Sequence, residues 1–461
     1  MERQNAGHIM ETLNESLGQH EAPIAPHPES RVKLTANTDL KKFYYKPMGM
    51  HLSEASEVLD DRIDEFASLI QEHYLLEDTA FGSAASKSTN EIVAVGRIAS
   101  DTPEGKMNAA SMVLEMSRRT GAGLRIPIKL NTTVPHQFFP GQIVAFRGIN
   151  ASGDYFSVNE ILELPLLPPP SSFPSTLQGF NEQLGVDDPS ETGPAHALNI
   201  ITSAGPYTAD DNLDYEPLHA LCEKAAETCA DVLILVGPLL DVEHPLVATG
   251  DFDLPEDTNI EPDKATLTDV FRALISPPIS QLVQKVPSIT IILIPSARDA
   301  VNKHVSWPQE PTTKKDLGLP RKQVKTVTNP VIISLNEIIV GISAQDVLND
   351  LRREEVVVGP PKESNLLNRL PRHLMQQRHF FPVFPPVNRT FLPRAGTEEG
   401  TATGTPLDVS YLKLGEWLKA QPDVLILPSA LTPFAKVGFL TFPSLHNLKA
   451  NCLRLWKVLW W

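Results

Sequence analysis

The first strong period along the chain is helical. In "HLSEASEVLDDRIDEFASLIQEHY" (51–74), Leu59, Ile63, Phe66, Ile70 and Tyr74 follow one another at spacings of four and three. That is one apolar stripe, and it predicts a helix starting near Ser53. Residues 1 to about 40 are polar, poor in aromatics and without period, and read as a flexible lead. "EDTAFGSAASKSTN" (77–90) reads as a small-residue linker, so residues 41–85 form a helix-and-linker unit.

The pattern then shortens to alternation. "EIVAVGRIAS", "LRIPIKLN", "GQIVAFRGIN" and "DYFSVNEILEL" are brief β-rich runs, with turns expected at "FFPGQ" and "NASGD". Short strands packed so closely predict a small barrel such as an OB-fold over 86–168. After the proline-stiffened connector "LPLLPPPSSFP" come longer apolar runs separated by helical stretches: "ALNIITSAG", "ADVLILVGP", "SITIILIPSA" and "PDVLILPSAL". These predict buried strands joined by crossovers over 169–437. "VIISLNEIIVGIS" predicts two further strands around Asn336 and Glu337. Two polar stretches, near 249–264 and 394–407, read as mobile surface loops. The fold class is therefore α+β: a barrel, then a β core flanked by helices.

Composition narrows the function. With 461 residues, 41% apolar and 21% charged, the chain is globular and long enough for more than one core. A formal charge of −16 argues against gripping nucleic acid unaided, because that binding rests on cations neutralising phosphates. Three cysteines make neither a disulfide framework nor a four-thiolate zinc site. Cys222 and Cys229 are expected on one helix face, as core. The start of the sequence lacks the cationic and apolar regions of a signal peptide, and no run is long enough to span a membrane. A reducing compartment, cytosol or nucleus, is expected.

In open α/β sheets ligands gather at the carboxyl ends of strands. Here those ends read "TSAG", "GPLLD", "PSARD" and "PSAL". Their order resembles the calcineurin-like phosphoesterases, whose metal motifs run D-x-H, G-D-x-x-D, G-N-H-D/E and G-H-x-H. Against that pattern the donor positions hold Ser203, Gly205, Pro238, Ala297, Arg298, Ser429 and Leu431. None supplies the carboxylate, histidine or asparagine that a two-metal site needs. Arg298 would repel a dication, since a guanidinium stays protonated at any relevant pH. The resemblance thus implies the fold with its site removed: no catalytic residue, no metal, no cofactor. Asp241 and Asp299 remain, as expected structural partners of Arg298 or of backbone N–H groups. His244 and His304 read as hydrogen-bonded structure.

A barrel followed by an inactivated phosphoesterase domain resembles the B subunits of replicative DNA polymerases, and within them the B subunit of DNA polymerase α–primase. "AVGRI" (94–98), "FFPGQIVAFRGIN" (138–150), "AGPYTADDNLDYEPL" (204–218), "DVLILVGPLLDVEHP" (231–245), "IPSARDA" (294–300), "NPVIISLNEIIVGISAQDVLNDL" (329–351), "HLMQQRHFFPVFPP" (373–386) and "PDVLILPSAL" (422–431) carry the likeness. It implies a nuclear, non-catalytic accessory subunit that binds the C-terminal domain of the catalytic subunit, meets primase indirectly and reaches DNA through the complex. The lead resembles the linker that follows the family's N-terminal helical domain, so a tethering role is not implied here. Residues 438–461 match no family segment; Leu448, Cys452, Leu455 and Leu459 space as a partner-binding helix, and a mis-spliced terminus is the alternative.

Two rival readings stay open. An active phosphoesterase would draw on Asp241, His244, Asp299 and His304. A single-strand binder would use the barrel's Arg97, Lys106, Arg118, Arg119, Arg125 and Lys129, or the basic run "KKDLGLPRKQVK" (314–325). Phe138, Tyr207, Tyr215 and Phe381 are candidate interface anchors, with core burial the competing fate.

Overall fold

A computed structural model describes residues 9–13, 23–47, 49–102, 106–130, 135–184, 198–255, 258, 260–261, 264–359, 365–386, 407–417, 419–436 and 458–459. The first helix runs Leu52–Tyr74 with His51 at its N-cap, one residue from the start expected near Ser53. Glu54 reaches back to accept from the His51 N–H at 2.7 Å, which satisfies a donor the helix itself cannot.

Strands Ser88–Ser100, Met112–Glu115, Arg125–Lys129, Phe156–Leu162 and Ile143–Asn150, in that spatial order, close into a barrel. The first strand shows why its run is apolar on both faces. Ala94 and Ile98 point inward with Leu114, Ile126, Phe146 and Phe156, while Val93 and Val95 point outward. The outward pair, with Ile143, Ala145 and Leu162, is covered by Ile63, Phe66 and Ile70 of the long helix. The helix therefore packs as part of the barrel unit. The expected linker is also structured: Ala84 is fully buried, Phe81 bridges to Val93, and the barrel strand starts at Ser88.

The remaining chain builds two facing sheets. Three expected strands, Ile200–Ala204, Val232–Val236 and Thr290–Ile294, are parallel neighbours in one sheet, with Val324–Thr326 at its edge. The fourth, Val424–Ile426, joins the other sheet, parallel to Ile338–Ile342. Leu34–Ala36 and Val331–Leu335 complete that second sheet. Val232, Ile234, Val236, Ile292 and Ile294 face Val331, Ile333, Leu335, Val340, Ile342, Val424 and Ile426 across the sandwich. The outer face of the first sheet is covered by helices Glu216–Glu227, Leu267–Leu274 and Ser276–Lys285. This is the β core flanked by helices that the sequence implies, built as two facing sheets.

The lead needs correction. Residues 34–36 are a strand, and Arg31 and Val32 are buried. Asn336, in the left-handed turn of the Val331–Ile342 hairpin, accepts from the Lys33 N–H at 2.8 Å and donates to the Arg31 carbonyl at 3.3 Å. A three-residue strand carries too little periodicity to be read alone; its pairing comes from the hairpin. Helix Glu216–Glu227 ends before Cys229, so the two cysteines do not share its face: Cys222 is buried and Cys229 is half-exposed beyond the helix. The expected mobile loop near 394–407 lies outside the described residues except Leu407, which bridges to Trp307. Of the 438–461 tail only Val458–Leu459 is described, as a two-residue strand beside Thr202–Ser203 rather than a helix.

One glutamine bridges barrel and core at the barrel wall. Gln377, at the end of helix Leu366–Gln377, is fully buried; it accepts from the Ile143 N–H at 2.8 Å and donates to the Ile143 carbonyl at 2.9 Å. It thus imitates a neighbouring strand at the barrel's wall. Arg62 of the long helix donates to the Gln377 carbonyl at 2.6 Å and to Glu416 at 3.1 Å. Strand His136–Phe138 pairs with Val356–Val358 of the core. Gln377→Ala strands a buried N–H and a buried carbonyl, at a cost of about 2–3 kcal/mol. Hydrogen exchange at Ile143 is expected to quicken well before the two-sheet core melts; unchanged exchange would show that the joint lies elsewhere.

Candidate functional site: the filled strand ends

Both Gly205 and Gly237 sit at the ends of parallel strands and precede cis-prolines, Pro206 and Pro238. The chain is drawn tight here. A side chain at Gly205 would collide with the Pro238 carbonyl, and one at Gly237 with the Asp299 carboxylate. Only glycine lets the backbones approach this closely.

Asp299 occupies the space so created. It is 6% exposed, and its Oδ1 accepts from the N–H groups of Leu239 at 2.5 Å and Leu240 at 3.1 Å. Its Oδ2 accepts from the Ser296 N–H at 2.8 Å. Burial pushes the carboxyl up to about 6, against the lowering by those three N–H groups; the Asp241 charge adds to the rise. Next to it the segments around 240 and 300 zip together: Ala300 N–H donates to the Leu240 carbonyl at 2.9 Å and Val242 N–H to the Arg298 carbonyl at 2.9 Å.

Asp241 is spent on Arg298. The guanidinium meets it through both nitrogens of one edge, Nε to Oδ1 at 3.1 Å and Nη2 to Oδ2, and reaches Glu243 at 2.9 Å. A bidentate fork of this kind fixes orientation as well as charge. Asp241 also accepts from the Glu243 N–H at 3.0 Å.

Tyrosines from "AGPYTADDNLDY" close the remaining space. Tyr207 is 1% exposed, with its hydroxyl 3.0 Å from the Ser203 carbonyl and 3.1 Å from that of Val236. Tyr215 is as deeply buried and donates to the Leu239 carbonyl at 3.2 Å. Burial raises both phenols, so they stay neutral donors. The sequence left them open between interface anchor and core; with Phe138 and Phe381 at 3% exposure, all four are buried in the core.

His244 caps helix Pro245–Thr249, accepting from the Leu246 N–H at 3.2 Å, with Nε2 2.7 Å from the Ala209 carbonyl. His304 lies 3.0 Å from the Tyr45 carbonyl. Neither points to a vacant centre, and both are hydrogen-bonded structure. Ser203 is fully buried at the end of its strand, and Ala297 lies on the turn between Ser296 and Arg298. Ser429 and Leu431 follow Val424–Ile426 in the other sheet. Ser429 accepts from the Leu431 N–H at 3.2 Å, and Leu431 packs in a cluster with Trp307 and Phe380. Among the described residues no group of three or more His, Cys, Asp or Glu is placed to hold a metal.

Of the six barrel cations singled out in the sequence, five have a partner, and Lys106 is exposed with no ion pair among the described residues. Arg97 and Arg125 meet Glu115, the latter at 2.7 Å; Arg118 meets Asp60, Arg119 meets Asp64 at 3.1 Å, and Lys129 lies over the Tyr155 ring at 5.1 Å.

Two family models match this chain. One, for the B subunit of DNA polymerases alpha and epsilon, covers residues 200–436; the other, for the OB domain of the DNA polymerase alpha B subunit, covers 56–164. The chain belongs to the DNA polymerase alpha/epsilon B-subunit family. Within that family it is similar to the DNA polymerase alpha B subunit of Saccharomyces cerevisiae, 37% identical over 94% of this chain and 64% of that protein. The Schizosaccharomyces pombe protein of the same name is 35% identical over 94% of this chain and 70% of its own, and the Bos taurus one 27% identical over 100% and 69%. The chain thus spans about two thirds of the length of these relatives. The OB-domain match begins inside the long helix, in accord with its packing on the barrel.

Proposed function

We propose that the chain is a non-catalytic accessory subunit of a DNA polymerase alpha complex, acting as a scaffold for the catalytic subunit as replication begins. One observation carries the reading: the strand ends where a phosphoesterase of this architecture would bind metals are filled by the protein's own bonds. Asp299 serves three backbone N–H groups, Asp241 serves Arg298, and Tyr207 and Tyr215 lie buried beside them. Two metal ions do not fit this donor set. Ser203, Gly205, Pro238, Ala297, Ser429 and Leu431 offer no charged ligand, and Arg298 is a fixed cation. The relatives' names support the assembly, and the acidic balance supports a protein whose DNA contacts are made mainly by other chains. The partner in this reading is the C-terminal domain of the catalytic subunit, with primase met indirectly and the nucleus as the place of work.

Co-expression with that domain tests it. The full chain and a version ending at Val437 are each expected to co-elute with it stoichiometrically on size exclusion. If neither does, and a chain given the closing segment of a relative also elutes alone, the scaffold reading fails. Turnover of a phosphodiester with manganese or zinc, abolished by Asp299→Ala in a folded variant, would establish the enzyme instead.

A further inference from the structure

The cations of this molecule are handled in two ways. On the barrel, Arg97, Arg118, Arg119, Arg125 and Arg147 each meet a carboxylate. Between residues 314 and 325 the chain places five cations, Lys314, Lys315, Arg321, Lys322 and Lys325, against one carboxylate, Asp316. Among the described residues none of these five forms an ion pair, although the chain as a whole carries sixteen more acids than bases. Carboxylates are abundant, so their absence here is a property of the place.

The place is well defined. The run leads into Val324–Thr326, the edge strand of the five-stranded sheet, paired with Thr290–Ile294 on one side. Leu317 and Leu319 are buried and anchor the loop, and the Ser276 hydroxyl donates to the Leu317 carbonyl at 2.6 Å. Lys314 folds back and donates to the Val324 carbonyl at 3.0 Å, which blunts the strand edge. Lys315, Arg321 and Lys322 are left exposed on an ordered loop. The cations are close enough to repel: burial first, and the Lys325 charge second, lower the Lys314 ammonium. Like charges held together on a rigid edge destabilise the free protein and are relieved when an anion binds.

We propose that this sheet edge is a docking surface for the phosphodiester backbone of a nucleic-acid strand, read without regard to sequence. Several cations spaced along one edge suit a repeating anion, and no aromatic side chain lies among them to stack a base. The contact adds to the accessory role and is independent of it, because it can be measured without any other subunit.

The test uses the full chain and a fluorescent mixed-sequence DNA single strand of about thirty nucleotides, followed by anisotropy as salt is raised from about 50 mM. The three exposed cations, each neutralising one phosphate and so releasing about 0.7 of a counterion, give an expected slope of about −2 in log K against log salt. The triple variant Lys315→Glu, Arg321→Glu, Lys322→Glu is expected to bind at least about tenfold more weakly with a slope near zero. Its melting temperature should not fall below wild type, because all three side chains are exposed and their mutual repulsion is relieved. Arg118→Glu with Arg119→Glu on the barrel serves as the comparison and should leave binding unchanged. No binding at low salt, equal loss from the barrel pair, or tighter binding of poly-glutamate than of the DNA at matched charge would each overturn the proposal, the last in favour of an acidic peptide. Failure here leaves the co-elution result untouched, so the two readings are separable.

Discussion

Asp299→Ala is expected to destabilise the two-sheet core by about 4 kcal/mol, a loss of about 10 °C in melting temperature. The substitution leaves three buried backbone N–H groups, of Leu239, Leu240 and Ser296, without an acceptor. Each stranded donor costs about 1–3 kcal/mol, and partial repair by water keeps the sum below the simple total. Asp299→Asn with its oxygen in the Oδ1 position keeps the acceptor for Leu239 and Leu240 and turns an amide N–H₂ toward the Ser296 donor alone, so it should recover more than half of the loss. The pH dependence carries a sign. This carboxyl is raised to about 6 in the folded protein, above its value of about 3.9 in an unfolded chain. The native state therefore holds the proton longer, and the group's contribution to stability falls as pH rises from about 4 to about 6, then levels. The gap in melting temperature between wild type and Asp299→Ala should shrink across that window. A gap that widens instead would mean that the carboxylate, and not burial, dominates the site.

The second large effect lies behind the barrel. Glu355 is buried with Arg369 and His373: Arg369 donates through Nε and Nη2 at 2.8 Å each, and His373 Nε2 lies 3.0 Å away. Burial alone would raise this carboxyl, but the His373 and Arg369 hydrogen bonds hold it down to about 2. Glu355→Ala leaves a guanidinium buried without its counter-charge, which typically costs about 3–5 kcal/mol. Here the sign is opposite to that at Asp299. The folded value lies below the unfolded one, so the stabilisation is present above about 4.3 and is lost as pH falls toward about 2. Melting temperatures of wild type and Glu355→Ala should therefore converge in acid, while those of wild type and Asp299→Ala diverge from pH 6 to 4. Replacing Glu355, Arg369 and His373 together by apolar residues should cost less than removing Glu355 alone, because no charge is then stranded. If the triple change costs more, the cluster is a net contributor in its own right.

The elements themselves were legible wherever one face meets a core and the other meets something different. The stripe from Leu59 to Tyr74 became the long helix because its apolar face had a barrel wall to cover. The hairpin around Asn336 became two strands because Asn tolerates the left-handed turn between two alternating runs. The strand ends could be scored for chemistry one by one, since a proline or alanine cannot offer a ligand in any fold. That Arg298 and backbone N–H groups would take Asp241 and Asp299 was also expected, on charge alone.

What the sequence did not contain is pairing across distance. Leu34–Ala36 is too short to show a period, and it is a strand only because Val331–Leu335 has a free edge beside it. The fourth apolar run looks like the other three, yet Val424–Ile426 belongs to the opposite sheet; both sheets bury the same kinds of side chain, so hydrophobicity cannot distinguish them. Tyr207 and Tyr215 are equally plausible as interface or core until the position of Asp299 is known. Element types, the residue types that stand at the strand ends and the family are thus written in the order of residues alone. Which sheet each strand enters, which partner each of Asp241 and Asp299 bonds to and which cations are left without a carboxylate emerge only on folding. The reason is physical: local periodicity and side-chain chemistry are properties of neighbouring residues, whereas register, satisfaction of buried N–H groups and ion pairing depend on residues that meet only when the chain has folded.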